Sequence, residues 1–454
     1  MRHYHKNMLF KIKDEFGGRC MCIQKVYDVI GIGLGPSNLA LAIAIHEHQE
    51  DMEALFLEKK EHFDWHPNMM IPGSDLQVSF LKDLVTTRNP TSPFTFLNYL
   101  KQKQRLHEFI NLREFYPSRR EFADYYSWIV GQLEPFIRYN YEVTNIEVIP
   151  YDGVNILKIE TKNNRTGEIQ DYLTKNLVVA TGGIPAVPPG IQVEEGSVFH
   201  SHEFMHTIKT YYPHTHHTYR FLIVGSGQSA AEIFSYLGTE YPNATVTSTM
   251  RKYNFQPIDD SAFTNQLYYP EAIDFFYELP LHKKEQLLHS YQHTNYAVVD
   301  ADLIHHIYHM MYAEKVNGSE RLRILGNMTL QQVTHHTEGF LQASFQHTLE
   351  DKQVVLETDA IILATGYRKP KYPALFRHIK DYFVVDTAGN YQVELDYQIR
   401  TNDTLQANIY LQGMCEDTHG FSDPNLSNLP QRSFAILQSI LVSTARSVPT
   451  SHTL

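Results

Sequence analysis

The sequence predicts an α/β fold of two doubly wound units with a smaller region between them, and three observations carry that expectation. A short β-branched strand runs into a glycine turn and an apolar helix around Gly31, and the same design recurs around Gly225. Two further apolar strands, Leu177 to Ala180 and Ala360 to Ala364, each run into Ala-Thr-Gly.

The first copy starts at Val26, turns through Gly31, Gly33 and Gly35, passes Pro36, Ser37 and Asn38, and continues in the apolar stretch Leu39 to Ile45. Its next strand, Ala54 to Leu57, ends at Glu58. The second copy runs Arg220 to Val224, turns through Gly225, Ser226 and Gly227, passes Gln228, Ser229 and Glu232, and reaches a strand from Ala244 to Met250 just before Arg251. In this order the first glycine permits the tight turn and the second lets backbone approach a pyrophosphate. The helix start then aims unpaired N–H groups at the phosphates. Both copies are therefore read as dinucleotide-binding, Rossmann-like domains. The residue after the second strand separates them. A carboxylate at Glu58 accepts hydrogen bonds from ribose hydroxyls and repels a 2′-phosphate, whereas a guanidinium at Arg251, followed by Lys252, clamps one. The difference predicts FAD in the first unit and NADPH in the second.

The Ala-Thr-Gly ends, Thr181-Gly182 and Thr365-Gly366, bring backbone close to a cofactor or to a domain crossover, and the Pro-rich stretch Ile184 to Pro189 reads as a linker. The expected organisation is a loosely ordered extension over 1–24, a first part of the FAD domain over 25–189, an NADPH domain with substrate-site helices over 190–369, and the rest of the FAD domain with a closing segment over 370–454.

Composition narrows the function. The 39 Lys and Arg against 51 Asp and Glu leave a net charge of −12, which argues against nucleic-acid binding through a basic field. With 43% hydrophobic and 20% charged residues the chain can bury a large core. Leu39 to Ile45, the longest clean apolar run near the start, falls far short of the roughly 20 residues a bilayer requires, so no membrane association is expected. Cys20, Cys22 and Cys415 form a sparse, odd set that fits a reducing cytoplasm rather than a disulfide framework. The histidines at 214, 216 and 217 and at 305, 306 and 309 are read as polar surface residues, and no metal site is assigned.

Beyond the glycine motifs, Gly31-x-Gly33-x-x-Pro36 with Asn38, Asp64 to Pro67, Leu76 to Leu84, Pro90 to Pro93, Asp260 to Asn265, Thr294 to Val299, Ala364 to Tyr367 and His419 to Asp423 stand in series along the chain. Together they resemble the flavin-dependent N-hydroxylating monooxygenases: ornithine and lysine N-hydroxylases of siderophore synthesis and relatives acting on diamines or histamine. The resemblance spans about Tyr27 to Ser433. It implies FAD- and NADPH-dependent N-hydroxylation of the terminal primary amine of ornithine, lysine, putrescine, cadaverine or histamine by molecular oxygen, through a C4a-hydroperoxyflavin. The product would be an N-hydroxylated building block for a siderophore. It also implies a homo-oligomer, often a tetramer.

The site residues follow residue by residue from that resemblance. Gln77 matches the glutamine near the reacting edge of the flavin, and Asn265 the amide beside the substrate nitrogen. Lys82 matches the residue that neutralises a substrate carboxylate, Asn295 a residue between substrate and nicotinamide, and Ser422 a residue of the closing segment. Trp65 and His66 help shape the flavin pocket, while Gln228, Ser229, Arg251 and Tyr296 match NADPH-site positions. The chemistry is coherent, because an alkylammonium with a pKa of about 10.4 must lose its proton before its lone pair can attack. Burial favours the neutral amine, and a neutral amide accepts its N–H without stabilising the cation as a carboxylate would.

By residue type alone Asn265 and Asn295 are turn residues, Gln77 is a strand residue facing water, and Lys82-Asp83 is a surface ion pair. Three rival functions share part of the pattern. A disulfide reductase needs a redox cysteine pair beside the flavin, and the sequence has no Cys-x-x-Cys. A Baeyer–Villiger or S-oxygenating monooxygenase differs only in its pocket residues, and a non-enzymatic NADP-binding protein would lack the flavin. Lys82 suits an amino-acid substrate, while Pro424-Asn425 departs from the ornithine-enzyme pattern in the closing loop and leaves the substrate open.

Overall fold

The computed structural model describes residues 25–48, 52–369 and 374–446, so the expected extension over 1–24, with Cys20 and Cys22, lies outside the described residues. Two five-stranded parallel sheets organise the rest. In the first, the spatial order is Asn408–Leu411, Asn176–Val179, Val29–Ile32, Ala54–Glu58 and Ile137–Tyr139. In the second it is Val198–His200, Ala360–Leu363, Arg220–Val224, Thr245–Thr249 and Leu322–Leu325. Every residue of Val29–Ile32, Asn176–Val179 and Ala360–Leu363 is buried, as expected of central parallel strands covered on both faces.

The repetition extends beyond the glycine motifs. After its outer strand, each unit inserts an antiparallel three-stranded meander before returning to its Ala-Thr-Gly strand. The meanders are Tyr141–Tyr151, Val154–Asn163 and Ile169–Thr174 in the first unit, and Met328–His335, Leu341–His347 and Lys352–Thr358 in the second. The units differ in the strand beside Ala-Thr-Gly. Val198–His200 precedes its unit's glycine motif in the chain, whereas Asn408–Leu411 arrives only after the whole second unit has been completed.

The helix Pro36–His48 opens with proline, whose missing N–H costs nothing at a helix start. Its residues Asn38 to Ile45 are all buried, and it packs between the helices Arg119–Leu133 and Leu429–Arg446. The helix Gln228–Glu240 holds the matching place in the second unit, packed on Ala301–Val316. Met69 and Ile71, from the first half of the chain, join the second unit's core.

Ile184 to Pro189 is more than a slack linker. Ile184–Pro185 pairs antiparallel with Tyr367–Arg368, so the outgoing and returning connections form one ribbon. The Gly366 carbonyl accepts from Ala186 N at 2.9 Å, and Thr365 Oγ1 donates to the Ala186 carbonyl. The segment between Thr245–Thr249 and Ala301–Val316 carries the short helices Pro270–Glu278 and Leu281–Ser290, and Pro270–Glu278 packs on the turn Glu416–His419. Among the described residues no helix is long and apolar enough to cross a membrane.

Candidate active site

The glycines of the first motif have distinct physical jobs. A Cβ on Gly31 would lie 2.3 Å from Phe56 Cδ1, and one on Gly33, whose φ is +86°, 2.6 Å from the Ala180 carbonyl oxygen. Both glycines therefore let the turn pack against neighbouring strands. Gly35 differs, because a Cβ there would meet nothing within 4 Å. The approach to the helix start, where N–H groups lack intrahelical partners, is open at that point. The second motif repeats the pattern: a Cβ on Gly225 would lie 2.2 Å from the Ala364 carbonyl oxygen, and one on Gly227 3.6 Å from Ala297 Cα. Each Ala-Thr-Gly strand thus crowds the glycine turn of its own unit.

Several expected cofactor residues have side chains committed within the protein. Asn38 Nδ2 donates to the carbonyls of Ile32 (3.2 Å) and Gly33 (2.7 Å), pinning the turn. Its Oδ1 accepts from Gln412 Nε2 at 2.9 Å, and Gln412 Oε1 accepts from Arg432 Nε at 3.3 Å. Ser37 Oγ accepts from the Arg432 guanidinium at 2.9 Å. Glu58 takes its place at the strand end, where Oε2 accepts from Leu34 N (2.9 Å) and Oε1 from Lys60 N (3.0 Å), bracing the turn. Pro36 starts the helix. Trp65 stands edge-on to Tyr126 with ring centres 5.1 Å apart, and His66, in the left-handed conformation at φ 49°, stands edge-on to Trp65 at 5.3 Å and to Tyr367 at 6.5 Å.

In the second unit, Arg251 is exposed just past the strand end, and no acidic side chain among the described residues pairs with it. Lys252 is occupied, its Nζ donating to the Ala297 carbonyl (2.9 Å) and to Gln256 Oε1 (3.0 Å). The Gln228 side chain is also taken up. Its Nε2 donates to Asp300 Oδ2 (2.8 Å) and Glu232 Oε1 (3.1 Å), and its Oε1 accepts from Asp300 N (3.0 Å). Its backbone stays at the helix start, followed by Ser229. Tyr296 Oη donates to Glu416 Oε1 at 2.5 Å, and Lys369 Nζ bonds the other carboxylate oxygen at 3.1 Å.

The expected substrate residues come from three stretches that close on one another. Lys82, half-buried on the turn Phe80–Lys82, sits over the Tyr268 ring with Nζ 5.8 Å from its centre. Burial lowers its pKa, and no acidic side chain among the described residues pairs with it. Asp83 is no surface partner for it. Asp83 is 1% exposed, and its carboxylate accepts from Val85 N (2.9 Å), Thr86 N (2.6 Å), Thr86 Oγ1 (2.8 Å) and Phe96 N (2.8 Å). Asn265 lies on the same short helix as Tyr268; its Nδ2 donates to the Asp260 carbonyl at 2.7 Å, which leaves Oδ1 as its available acceptor. Tyr268 Oη donates to the Thr294 carbonyl at 3.3 Å, tying that helix to Asn295. The turn containing Ser422 closes from the far side, where Phe421 meets Tyr291 at 6.4 Å. Ser422 Oγ is buried and has no hydrogen-bond partner among the described residues.

Sequence reasoning missed the polar ties behind these residues. Arg432 forms a buried ion pair with Asp423, NH1 to Oδ1 at 3.0 Å, and Asp423 Oδ2 accepts from Cys415 N at 2.7 Å. Arg119 makes a two-point pair with Glu232 at 2.9 and 2.7 Å and donates to the Met69 carbonyl at 2.8 Å, joining the two units. Asp300 accepts from Gln77 Nε2 at 3.2 Å as well as from Gln228. Among the described residues Cys415 is the one cysteine, buried with its thiol pushed up by burial, and no group of three or more His, Cys, Asp or Glu could hold a metal ion.

Two parallel-sheet units joined by a paired crossover, each with a glycine cradle, with the half-buried Lys82 beside the stretches that carry Asn265 and Asn295, are the architecture of an oxidoreductase that uses two nucleotide cofactors. The family model for L-lysine 6-monooxygenase/L-ornithine 5-monooxygenase matches residues 25–369. An L-ornithine N(5)-monooxygenase of Pseudomonas aeruginosa is 38% identical over 421 residues, 91% of this chain and 94% of that one. Among solved structures, an ornithine N-hydroxylase of Kutzneria sp. 744 superimposes with a TM-score of 0.89 at 33% identity, covering 92% of this chain and 100% of that one. A cadaverine monooxygenase of Erwinia amylovora does so with a TM-score of 0.83 at 29% identity, covering 92% and 95%. The chain belongs to the L-lysine 6-monooxygenase/L-ornithine 5-monooxygenase family, and its enzyme class is that of the NADPH-dependent flavin N-monooxygenases.

Proposed function

We propose that this protein N-hydroxylates the terminal amine of L-ornithine, with FAD held by the first glycine motif and NADPH by the second. Bound NADPH supplies the hydride, and bound FAD supplies the redox centre at which molecular oxygen is activated. The open approach at Gly35 and the unpartnered buried hydroxyl of Ser422 fit the flavin side, and the unpaired guanidinium of Arg251 fits the 2′-phosphate. Residues 25–189 and 370–454 would form the flavin domain and 190–369 the NADPH domain. The hydroxylated amine would serve as a building block for a hydroxamate siderophore made in the cytoplasm, and the oligomer implied by resemblance would be a tetramer.

The observation that carries the substrate reading is Lys82. A half-buried ammonium with no carboxylate partner among the described residues is suited to an anion, and a free α-carboxylate would satisfy it. Relatives named as ornithine enzymes at 33–38% identity support the same choice. The surrounding side chains divide the remaining work. Asn265 Oδ1 accepts an N–H of the terminal amine and, being neutral, does not hold the extra proton on it. Asn295 and Tyr296 approach from the second unit, and the turn at Ser422 keeps water away.

The test is hydroxylamine formation by flavin-loaded protein with ornithine, lysine, putrescine, cadaverine and histamine. Ornithine is expected to be the preferred substrate. Lys82→Ala should raise KM for ornithine about 10–100-fold and change the putrescine value by about twofold at most, as expected for one charge-assisted contact. Equal changes for both amines would remove Lys82 from carboxylate recognition. NADPH oxidation with no N–O bond formed from any of the five would overturn the N-hydroxylation reading.

A further inference from the structure

We propose that Asp300 is a positioning residue for this reaction: its carboxylate fixes which way the side-chain amides of Gln77 and Gln228 face, and so sets which end of Gln77 stays free and anchors Gln228 at the start of the second glycine helix. The part concerning Gln77 rests on the reading that this residue lies at the reacting edge of the flavin. Asp300 stands immediately before the helix Ala301–Val316, and its side chain caps no helix N–H. Its two oxygens are divided instead, Oδ1 accepting from Gln77 Nε2 at 3.2 Å and Oδ2 from Gln228 Nε2 at 2.8 Å.

An ionised carboxylate only accepts hydrogen bonds, whereas a primary amide has a donor end and an acceptor end related by a half-turn. Contact with Asp300 therefore selects one orientation of each glutamine. For Gln228 the choice is reinforced, because Oε1 accepts from Asp300 N at 3.0 Å and Nε2 also reaches Glu232 Oε1 at 3.1 Å. Glu232 is itself held by Arg119, so the chain of contacts ends on a two-point, largely buried ion pair. For Gln77 the consequence is chemical. With Nε2 turned to Asp300, the carbonyl Oε1 is the end left free, so a flavin edge beside Gln77 would meet an acceptor there. An asparagine at 300 would offer one acceptor and one donor, and one of the two amides would have to turn over.

The experiment compares holoenzymes of wild type, D300N, Q77A and D300N/Q77A, with D300E as the variant that restores a carboxylate. Two quantities are read: hydroxylated product per NADPH consumed, and the NADP+ Kd by calorimetry. D300N is expected to lower product yield about fivefold or more and to raise the NADP+ Kd about tenfold through Gln228, with D300E closer to wild type on both. Q77A should lower the yield but leave the Kd within about twofold, and the double variant should yield no less than Q77A alone. Wild-type yield and Kd in D300N, or independent losses that multiply in the double variant, would overturn the proposal. If D300N loads no flavin, D300S replaces it; failure of both to load would make Asp300 a folding residue and overturn it too. Should wild type hydroxylate none of the five amines, the N-hydroxylation reading falls separately. The Kd comparison then decides the Gln228 half, and an unchanged Kd would overturn it.

Discussion

Arg251 and Lys252 are neighbours with the same formal charge and opposite situations. Lys252 spends its ammonium on the Ala297 carbonyl and Gln256, whereas Arg251 is exposed with no acidic partner among the described residues. A free guanidinium at the end of the second strand is suited to a phosphate, because its planar fork matches phosphate oxygens. Arg251→Ala should therefore lower kcat/KM for NADPH about 10–100-fold and leave the value for NADH within about twofold. Steady-state kinetics with both nucleotides check this, and an unchanged ratio would detach Arg251 from the 2′-phosphate. The same contrast explains what the sequence could convey at this scale. A residue's type and register mark Glu58 and Arg251 as candidates. They do not reveal that Gln228, Ser37 and Asn38 have their side chains bound inside the protein, since those bonds reach Asp300 and Arg432 across 72 and 395 residues in the Gln228 and Ser37 cases.

At the scale of elements, the glycine turns, their helices and the Ala-Thr-Gly strands were legible because each has a local signature: β-branched runs, then glycine, then small apolar residues. The two meanders were not. Their strands mix half-exposed polar positions with short apolar ones and carry no comparable signature, so only the pairing across strands defines them. The crossover ribbon was also hidden, because its partners Ile184–Pro185 and Tyr367–Arg368 are distant in the chain. His200, at the end of Val198–His200, fastens that ribbon: Nε2 bonds the Gly366 carbonyl at 2.9 Å while Nδ1 accepts from His202 N at 3.2 Å. This arrangement needs the neutral ring, and burial foremost holds the pKa down from 6.5 to about 4. Above pH 6.5 neither folded nor unfolded chain binds the proton. Between 6.5 and about 4 the unfolded chain takes it up and the folded one does not, so stability falls as pH falls through that window. The loss is of order 1–3 kcal/mol, smaller where water reaches the ring. Urea unfolding at pH 7 and pH 4.5 should register it, and His200→Gln, which can still donate to Gly366, should flatten that part of the profile. An identical loss in the variant would assign the effect to other groups.

At the scale of the whole molecule, the first unit is assembled from both ends of the chain. Its edge strand Asn408–Leu411 and the helix Leu429–Arg446 are added only after the second unit is complete. What fastens the late segment to the first glycine motif is Arg432, which is 3% exposed and bonded to Asp423, Gln412 and Ser37, with Gln412 continuing to Asn38. A buried ion pair of this kind adds little net stability over an apolar substitute, but removing one partner leaves the other charge stranded. Arg432→Met should therefore destabilise the fold by about 3–5 kcal/mol and strip flavin from the purified protein, because the turn beneath the helix start loses its brace. Arg432→Met combined with Asp423→Asn removes both charges while an amide oxygen still accepts from Cys415 N, so it should recover much of the stability but not the bond to Ser37. Denaturant unfolding reports the first quantity and the flavin-to-protein absorbance ratio the second. If the single variant unfolds at the wild-type denaturant concentration and stays fully flavin-loaded, the late segment is held by strand pairing and apolar packing, and the Arg432 tie has no part in closing the first unit.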